Sequence, residues 1–267
     1  MKICVLGPRG TFSHEAALLH DRNAEIIFEN TIYDVFDALD KGKADVSVVP
    51  LENATSGVVG ETLDSLLAFN LKIKKVIFLR IVHNLVGSKK ENIKRLFVHP
   101  QTHEQCRNYI RKNIKGVEII YTSSNSASAK LAEGKNDGAI VPTLAAELYG
   151  RNILERGIED NGSNATQFAV LDREYGKRTG NDRTYIVLGC MDRPGILHEI
   201  LGVFAKRKIN LSKIDSRPNK KKMGEYIFYL EFSGHPEDRE IAEVMKELKG
   251  CVAFLKVLGG YPVGDLV

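Results

Sequence analysis

The 267-residue sequence has few cysteines and no long apolar run, and both scarcities narrow the classes of protein that it can be. Its four cysteines, Cys4, Cys106, Cys190 and Cys251, are far apart and form no CxxC pair. Zinc ribbons and thioredoxin-like motifs need closely spaced cysteines, so this spacing excludes both. We expect buried free thiols, which fit a protein of the reducing cytoplasm. No stretch approaches the roughly 18 apolar residues of a membrane span. No apolar segment of the kind found in signal peptides precedes the first strand, so we expect no signal peptide. With neither a span nor a signal peptide, we expect no membrane partner.

Loops and clusters that hold common cofactors are also missing. GVVG at 57–60 lacks the GxGxxG spacing of dinucleotide sites, and GPRG at 7–10 is not followed by the Lys-Ser of a nucleotide loop. His99 and His103 are four residues apart, but Pro100 predicts a helix start between them, and no acidic or cysteine ligand has matching spacing. We therefore expect neither cofactor nor metal.

Charge does not indicate a nucleic-acid partner. The net charge of +4 is spread along the chain and is equally compatible with small anionic ligands. The basic run at 217–222 has no interleaved aromatic residues, so it indicates a solvated hairpin turn and not a surface for RNA or DNA.

The sequence does have a regular alternation of short apolar runs and amphipathic stretches over residues 1–172. The run at 46–51 is apolar throughout, as in strands buried on both faces of a parallel sheet. The alternation predicts an α/β fold with parallel-rich sheets. A polar, basic stretch at 173–182 predicts a linker. Residues 183–267 then follow the order βαββαβ of a ferredoxin-like domain.

Five polar clusters lie at turns between strands and helices, where α/β sheets place ligand sites. They occupy residues 7–13, 49–57, 99–106, 123–127 and 161–168. Each cluster alone also fits a turn with helix-capping residues. Together they predict a cleft lined by uncharged hydrogen-bond donors and helix N-termini, which suits a small anionic ligand.

In this order the clusters resemble the prephenate dehydratase family. The matching segments are GPRGTFS at 7–13, VPLENATSG at 49–57, HPQTHEQC at 99–106, AAELYG at 145–150 and IEDNGSNATQF at 158–168. The resemblance implies a two-lobed catalytic domain, similar in layout to periplasmic binding proteins, that converts prephenate to phenylpyruvate, water and CO2. The family's Thr-Arg-Phe motif places the catalytic residue at Thr166. The substrate-binding residues that the resemblance implies are Gly10, Thr11, Ser13, Glu52, Asn53, Gln101, Ser126, Asn164 and Phe168.

The C-terminal part carries a second resemblance. CMDRPGILHEIL at 190–201 and INLSKIDSRP at 209–218 are similar to the phenylalanine-binding signatures of ACT regulatory domains in these enzymes. This implies feedback inhibition by L-phenylalanine, held between ACT domains of different subunits, and hence a homodimer or homotetramer. The implied phenylalanine-binding residues are Arg193, Pro194, Gly195, Ile196, Leu197, His198, Asn210, Leu211, Asp215, Ser216, Arg217 and Pro218.

Three positions depart from the family pattern. Gln167 replaces the arginine of Thr-Arg-Phe, Ala54 stands where a hydroxyl residue usually follows Glu-Asn, and Ser126 replaces a threonine. Thr166 is retained, so we expect an active enzyme. Two alternatives stay open at this point: an arogenate dehydratase, with the same chemistry on the aminated substrate, and a non-catalytic protein that binds phenylalanine.

Overall fold

The structure is a computed structural model that describes residues 1–191, 193–218 and 226–264. Asp192 of the regulatory motif and residues 219–222 of the predicted basic turn lie outside the described residues. Within those ranges, no helix is both long and apolar enough to cross a membrane.

The first lobe forms from alternating strands and helices, as the apolar periodicity predicts. In the helix Ile32–Asp40, Val35, Phe36 and Leu39 recur at helical spacing and are fully buried, and the Thr31 hydroxyl caps the helix by accepting a hydrogen bond from the Asp34 amide. The elements are β1 (Lys2–Leu6), α1 (Phe12–His20), β2 (Glu25–Glu29), α2 (Ile32–Asp40), β3 (Val46–Asn53), β4 (Gly57–Val58), α3 (Gly60–Ala68) and β5 (Lys72–Arg80).

The second lobe begins where one long apolar stretch of the sequence passes from the first sheet into another. Within the stretch 73–86, residues 73–80 belong to β5, residues 84–86 belong to the first strand of the second lobe, and His83 lies in the crossing between them. The elements of this lobe are β6 (Asn84–Gly87), a 3₁₀ turn (Lys90–Asn92), β7 (Arg95–Val98), α4 (Pro100–Gln105), α5 (Arg107–Asn113), β8 (Glu118–Tyr121), α6 (Asn125–Leu131), β9 (Asp137–Val141), α7 (Thr143–Leu148) and β10 (Ile153–Arg156). The chain then returns to the first lobe as β11 (Ala165–Asp172).

The regulatory part has the predicted βαββαβ order. Its elements are β12 (Asp182–Cys190), α8 (Ile196–Lys206), β13 (Leu211–Pro218), β14 (Tyr226–Ser233), α9 (Arg239–Lys249) and β15 (Phe254–Pro262). The strands follow the order β13-β14-β12-β15, which is that of a ferredoxin-like sheet.

Both lobes have mixed sheets, less parallel than predicted. In the first lobe β1 is parallel to β2 and β3, but the returning β11 lies antiparallel between β3 and β5. In the second lobe β7 is parallel to β8 and β9, and β6 is antiparallel to β9 and β10. Apart from the short β4, which is antiparallel to β3, the antiparallel members are the strands next to the two crossings between the lobes.

The regulatory sheet is buried on both faces. One face packs on α8 and α9 through Leu188, Leu230 and other apolar residues. The opposite face, with Tyr185 and Tyr229, belongs to the same apolar core as Leu63 and other residues of the first lobe. A single pairing of β15 with β5 also joins the two sheets edge to edge. The catalytic and regulatory parts therefore share one core.

The segment at 173–182, predicted as a linker, packs against both neighbouring parts at Gly176. The Gly176 amide donates to the carbonyl of Gly260, and a side chain at Gly176 would stand 2.3 Å from the carbonyl oxygen of Lys74. Asp182 accepts hydrogen bonds from Thr179 and Gly180, which closes a tight turn just before β12.

Candidate active site

A cavity of about 310 Å³ lies between the two lobes, at the carboxyl ends of β1, β3, β7 and β8. This is where open α/β sheets place their ligands. The residues that line it are Leu6, Gly7, Thr11, Phe12, Ser13, Pro50, Asn53, Val59, Ile81, His83, His99, Gln101, Thr102, Gln105, Ser123, Ser124, Asn125, Thr166 and Phe168.

Thr166 lies near the start of β11 and presents its side chain to this cavity. The strand pairs it with Asn53 on one side and Leu79 on the other, so the backbone is held from both edges. Its side chain is buried, and its hydroxyl oxygen accepts a hydrogen bond of 2.9 Å from the Asn53 amide nitrogen. Since that bond occupies a lone pair, the hydroxyl hydrogen of Thr166 remains available as a donor.

Asn53 holds Thr166 in place and is itself fixed by the turn that follows β3. Its side-chain oxygen accepts from the backbone amides of Thr55 and Ser56, each at 3.0 Å. Its amide group donates to Thr166 and, at 3.0 Å, to the side-chain oxygen of Asn164. Backbone donors thus set the orientation of the amide group that faces Thr166.

The cavity is polar but carries no formal charge. None of the described residues that line it is Lys, Arg, Asp or Glu, and burial lowers the pKa of both His83 and His99, which favours their neutral forms. Donors come instead from side-chain amides and hydroxyls and from the N-termini of α1, α4 and α6. Thr11 and Ser124 cap the first and last of these helices. Such a lining suits anions that bind by hydrogen bonds and helix dipoles.

The structure brings six of the ten predicted catalytic and substrate-binding residues together around this cavity. They are Thr11, Ser13, Asn53, Gln101, Thr166 and Phe168. The other four, Gly10, Glu52, Ser126 and Asn164, do not line it. Asn164 is buried behind the cavity wall against Asn53.

Gly10 and Ser126 make a contact between the lobes. The Ser126 hydroxyl donates to the backbone carbonyl of Arg9, and a side chain at Gly10 would stand 2.8 Å from the Ser126 oxygen. Gly10 also has a φ of 91°, which favours glycine. These residues therefore position the 7–13 loop against α6, and any direct contact with substrate stays a prediction.

Glu52 and Gln167 lie side by side in the pairing of β3 with β11 and face away from Thr166, because side chains alternate along a strand. On that face Glu52 forms an ion pair with Lys213 of the regulatory sheet. The position where the family has an arginine thus lies outside the cavity, beside a carboxylate that Lys213 already neutralises.

His83, Gln105 and Phe12 also line the cavity. Phe12 and Gln105 lie in the predicted clusters 7–13 and 99–106 but were not among the predicted substrate-binding residues, and His83 lies outside all five clusters. His83 is 1% exposed, its Nε2 lies 2.8 Å from the Gln105 side-chain oxygen, and its ring meets the Phe12 ring edge-on. The feature of the sequence that could have indicated His83 is a histidine within the mostly apolar stretch 73–86, just after β5.

A second concavity, of about 500 Å³, lies on the regulatory part at the start of α8. Gly195 precedes this helix with a φ of 83°, a left-handed conformation that turns the chain from β12 into α8. Six predicted phenylalanine-binding residues line the concavity together with Tyr226 and Phe228: Arg193, Gly195, Ile196, Leu197, His198 and Ser216.

The remaining predicted residues of this group lie elsewhere. Leu211 begins β13 and Asn210 precedes it, so at strand spacing they lie about 16 and about 20 Å along the chain from Ser216. Arg217 points to the first lobe, where it donates to the carbonyl of Gly60. Pro194, Asp215 and Pro218 do not line the concavity either.

Metal ligation has no geometric support in the described ranges, where no three His, Cys, Asp or Glu side chains come close enough to hold an ion. Cys4, Cys106 and Cys190 are buried, and Cys251 is half-buried. Burial raises the pKa of Cys4 to about 12, so this thiol is not a nucleophile.

The fold and the cleft define a two-lobed protein that binds a small molecule between α/β lobes and carries a ferredoxin-like domain on one of them. Comparison with known families identifies residues 3–175 with prephenate dehydratase and residues 184–250 with the ACT domain. The chain belongs to the prephenate dehydratase family.

Individual relatives agree with this assignment over almost the full length. The prephenate dehydratase of Methanocaldococcus jannaschii is 39% identical over 97% of this chain and 97% of its own. The crystal structure of prephenate dehydratase from Arthrobacter aurescens in complex with L-Phe is 31% identical and superposes with a TM-score of 0.90, covering 98% of this chain and 90% of that one.

The same fold also occurs under another functional name. GqqA, described as a novel type of quorum quenching acylase, is 25% identical and superposes with a TM-score of 0.90 over 98% of both chains. Fold alone therefore does not define the chemistry, and the side chains of the cavity have to carry the functional argument.

Proposed function

We propose that the chain converts prephenate to phenylpyruvate, CO2 and water in its inter-lobe cavity, and that L-phenylalanine inhibits it by binding to the ACT domain. The observation that carries the proposal is the Thr166 hydroxyl, which is held by Asn53 at 2.9 Å in a cavity of neutral donors. Family membership over the catalytic and regulatory parts supports the substrate and the effector.

The reaction needs an environment of this kind. As the bond from the ring to its carboxylate breaks, its electrons move into the ring and the ring becomes aromatic. The 4-hydroxyl departs as hydroxide, which takes a proton from solvent to become water. A hydrogen bond from Thr166 to the departing oxygen stabilises the charge that develops there. Threonine is a poor acid, so this contribution is electrostatic and positional and does not require full proton transfer. Neutral surroundings also favour release of the carboxylate as CO2, since they do not hold it as an ion pair.

Orientation of the substrate falls to the other polar groups of the cavity. Gln101, Ser13 and the backbone amides at the start of α1 face the space in front of Thr166 and suit the carboxylates of prephenate. Phe168, on the same face of β11 as Thr166, offers a flat apolar surface to the ring. For Gly10, Glu52, Ser126 and Asn164 the proposed role is indirect. These residues position others that line the cavity.

Phenylalanine binding is proposed at the concavity before α8. Arg193, His198 and Ser216 offer polar groups there, and Ile196 and Leu197 offer apolar surface. Asn210 and Leu211 reach such a site only from a second copy of the chain, because they lie at the far end of β13. This supports a homodimer or homotetramer joined through ACT domains. A location in the cytoplasm is supported by the four cysteines, which are far apart and form no CxxC pair.

The test is phenylpyruvate formation by the purified protein, with prephenate and arogenate as substrates and with or without phenylalanine. We expect higher kcat/KM on prephenate and suppression by phenylalanine. Thr166→Ala should lower kcat by about 10²-fold to 10³-fold, the usual loss for one removed oxyanion donor. Thr166→Ser, which keeps the hydroxyl, is the matched control. Turnover of arogenate alone would reassign the substrate, and no turnover of either would leave a phenylalanine-binding protein.

A further inference from the structure

A continuous chain of hydrogen bonds crosses the cleft from the second lobe to Thr166. His83 Nε2 lies 2.8 Å from Gln105 Oε1, and Gln105 Nε2 lies 3.3 Å from Thr55 Oγ1. Thr55 Oγ1 lies 2.6 Å from Asn53 Oδ1, and Asn53 Nδ2 lies 2.9 Å from Thr166 Oγ1. Gln105 belongs to the second lobe, Thr55, Asn53 and Thr166 belong to the first, and His83 lies in the segment that connects the two lobes.

All four bonds point in the same direction. The oxygen of Gln105 faces His83, so His83 Nε2 is the donor, and the Gln105 amide then donates to Thr55. The Thr55 hydrogen goes to the Asn53 oxygen, because that oxygen carries no hydrogen of its own. The Asn53 amide donates to Thr166, whose hydrogen is the last in the series and faces the cavity.

Aligned hydrogen bonds polarise one another, by about 10–30% per bond. We infer that His83, Gln105 and Thr55 are positioning residues, which act through Asn53 to strengthen the hydrogen bond that Thr166 donates to the departing hydroxyl. The inference rests on the proposed function. It also means that this series of hydrogen bonds is complete only while the two lobes are together, because the Gln105–Thr55 bond crosses between them.

A purely mechanical role for these bonds is the alternative to exclude, and the structure supplies the control. Gln101 of α4 donates across the same cleft to the Ser56 hydroxyl at 2.9 Å. Thr55 and Ser56 are adjacent, exposed residues of one turn, and each hydroxyl accepts from a glutamine of α4. The two differ in that the Thr55 hydroxyl continues to Asn53, as its 2.6 Å contact with that side chain shows.

The experiment compares Thr55→Val, Thr55→Ser and Ser56→Ala in the full chain, with kcat and KM for prephenate measured separately. Thr55→Val should lower kcat about threefold to tenfold, the equivalent of one net hydrogen bond, with KM little changed. Thr55→Ser should retain the wild-type kcat, and so should Ser56→Ala. Equal losses in Thr55→Val and Ser56→Ala would assign the effect to holding the lobes together and would overturn the inference.

A double-mutant cycle with Gln105→Met tests whether the groups act in series. If they do, the Thr55→Val/Gln105→Met protein should be no slower than the slower single variant. Losses that multiply would overturn the inference, and so would a wild-type kcat in Thr55→Val. Failure of the proposed function is distinguishable, because the unmodified protein would then form no phenylpyruvate before any variant is compared.

Discussion

At the scale of single residues, the loop at 7–13 depends on a histidine that stays neutral. His14 is 5% exposed, and its Nδ1 accepts a hydrogen bond of 3.1 Å from the Gly10 amide. Only the neutral ring has a lone pair there, so protonation would remove this bond. Burial, and secondarily the charge of Arg9, lowers the pKa of His14 below its ordinary value of 6.5.

This predicts that stability falls on mild acidification. The unfolded chain takes up a proton near pH 6.5 and the folded chain does so only at lower pH. The contribution is therefore fully present above pH 6.5 and is lost as the pH falls toward the folded-state pKa, by at most about 1.4 kcal/mol per pH unit. Urea unfolding from pH 8 to pH 5.5 should show a shallower decline for His14→Asn, which retains an acceptor but does not titrate.

His20, His83 and His99 also have pKa values lowered by burial, so the His14 variant should reduce the slope without abolishing it. Identical pH slopes for the variant and the unmodified protein would contradict the assignment to His14.

At the scale of elements, α3 of the first lobe is hydrogen-bonded to the regulatory sheet at two places along its length. The Tyr229 hydroxyl donates to the Leu63 carbonyl in its middle. At its C-terminal end, the ammonium group of Lys256 donates to the carbonyls of Leu66, Leu67 and Phe69 at 2.9, 2.9 and 2.6 Å. A cation at this end satisfies otherwise unpaired carbonyls and complements the helix dipole.

Lys256→Met should therefore lower the free energy of unfolding by about 1–3 kcal/mol, because it leaves the last carbonyls of α3 without their charged donor. Chemical denaturation measures this directly. Lys89→Met, at an exposed loop lysine, is the control and should stay within about 0.5 kcal/mol of the unmodified protein. A Lys256→Met protein as stable as the control would show that water replaces the lysine at no cost.

Helices and strands were the features that the sequence predicted best, because apolar periodicity is a local property. The βαββαβ order and the buried strand β3 follow from it. The return of β11 between β3 and β5 does not, since it joins Thr166 to Asn53, 113 residues away. The cavity was predictable from polar turns after strands, whereas His83 required knowing that the chain changes sheets at that point.

At the scale of the whole molecule, the regulatory and catalytic parts meet one residue away from the catalytic network. Lys213, on β13, forms an ion pair with Glu52, and the next residue along β3 is Asn53, which holds Thr166. Ser216 of the proposed phenylalanine site lies on the same strand as Lys213. We therefore expect a ligand that shifts β13 to displace β3, the strand that orients the catalytic hydroxyl through Asn53.

Linkage requires that phenylalanine and prephenate oppose each other to the same degree, so loss of this contact should weaken both effects together. We expect Lys213→Met to raise the phenylalanine concentration for half-inhibition by up to about fivefold, since a half-exposed ion pair contributes up to about 1 kcal/mol. Turnover without phenylalanine should change little. Lys246→Met, at an exposed lysine of α9, is the control. Titration of phenylalanine with and without prephenate gives two dissociation constants for phenylalanine and separates coupling from affinity. If Lys213 couples the sites, the ratio of these two constants should be smaller in the variant. An equal loss of phenylalanine affinity under both conditions would place Lys213 in the binding site instead.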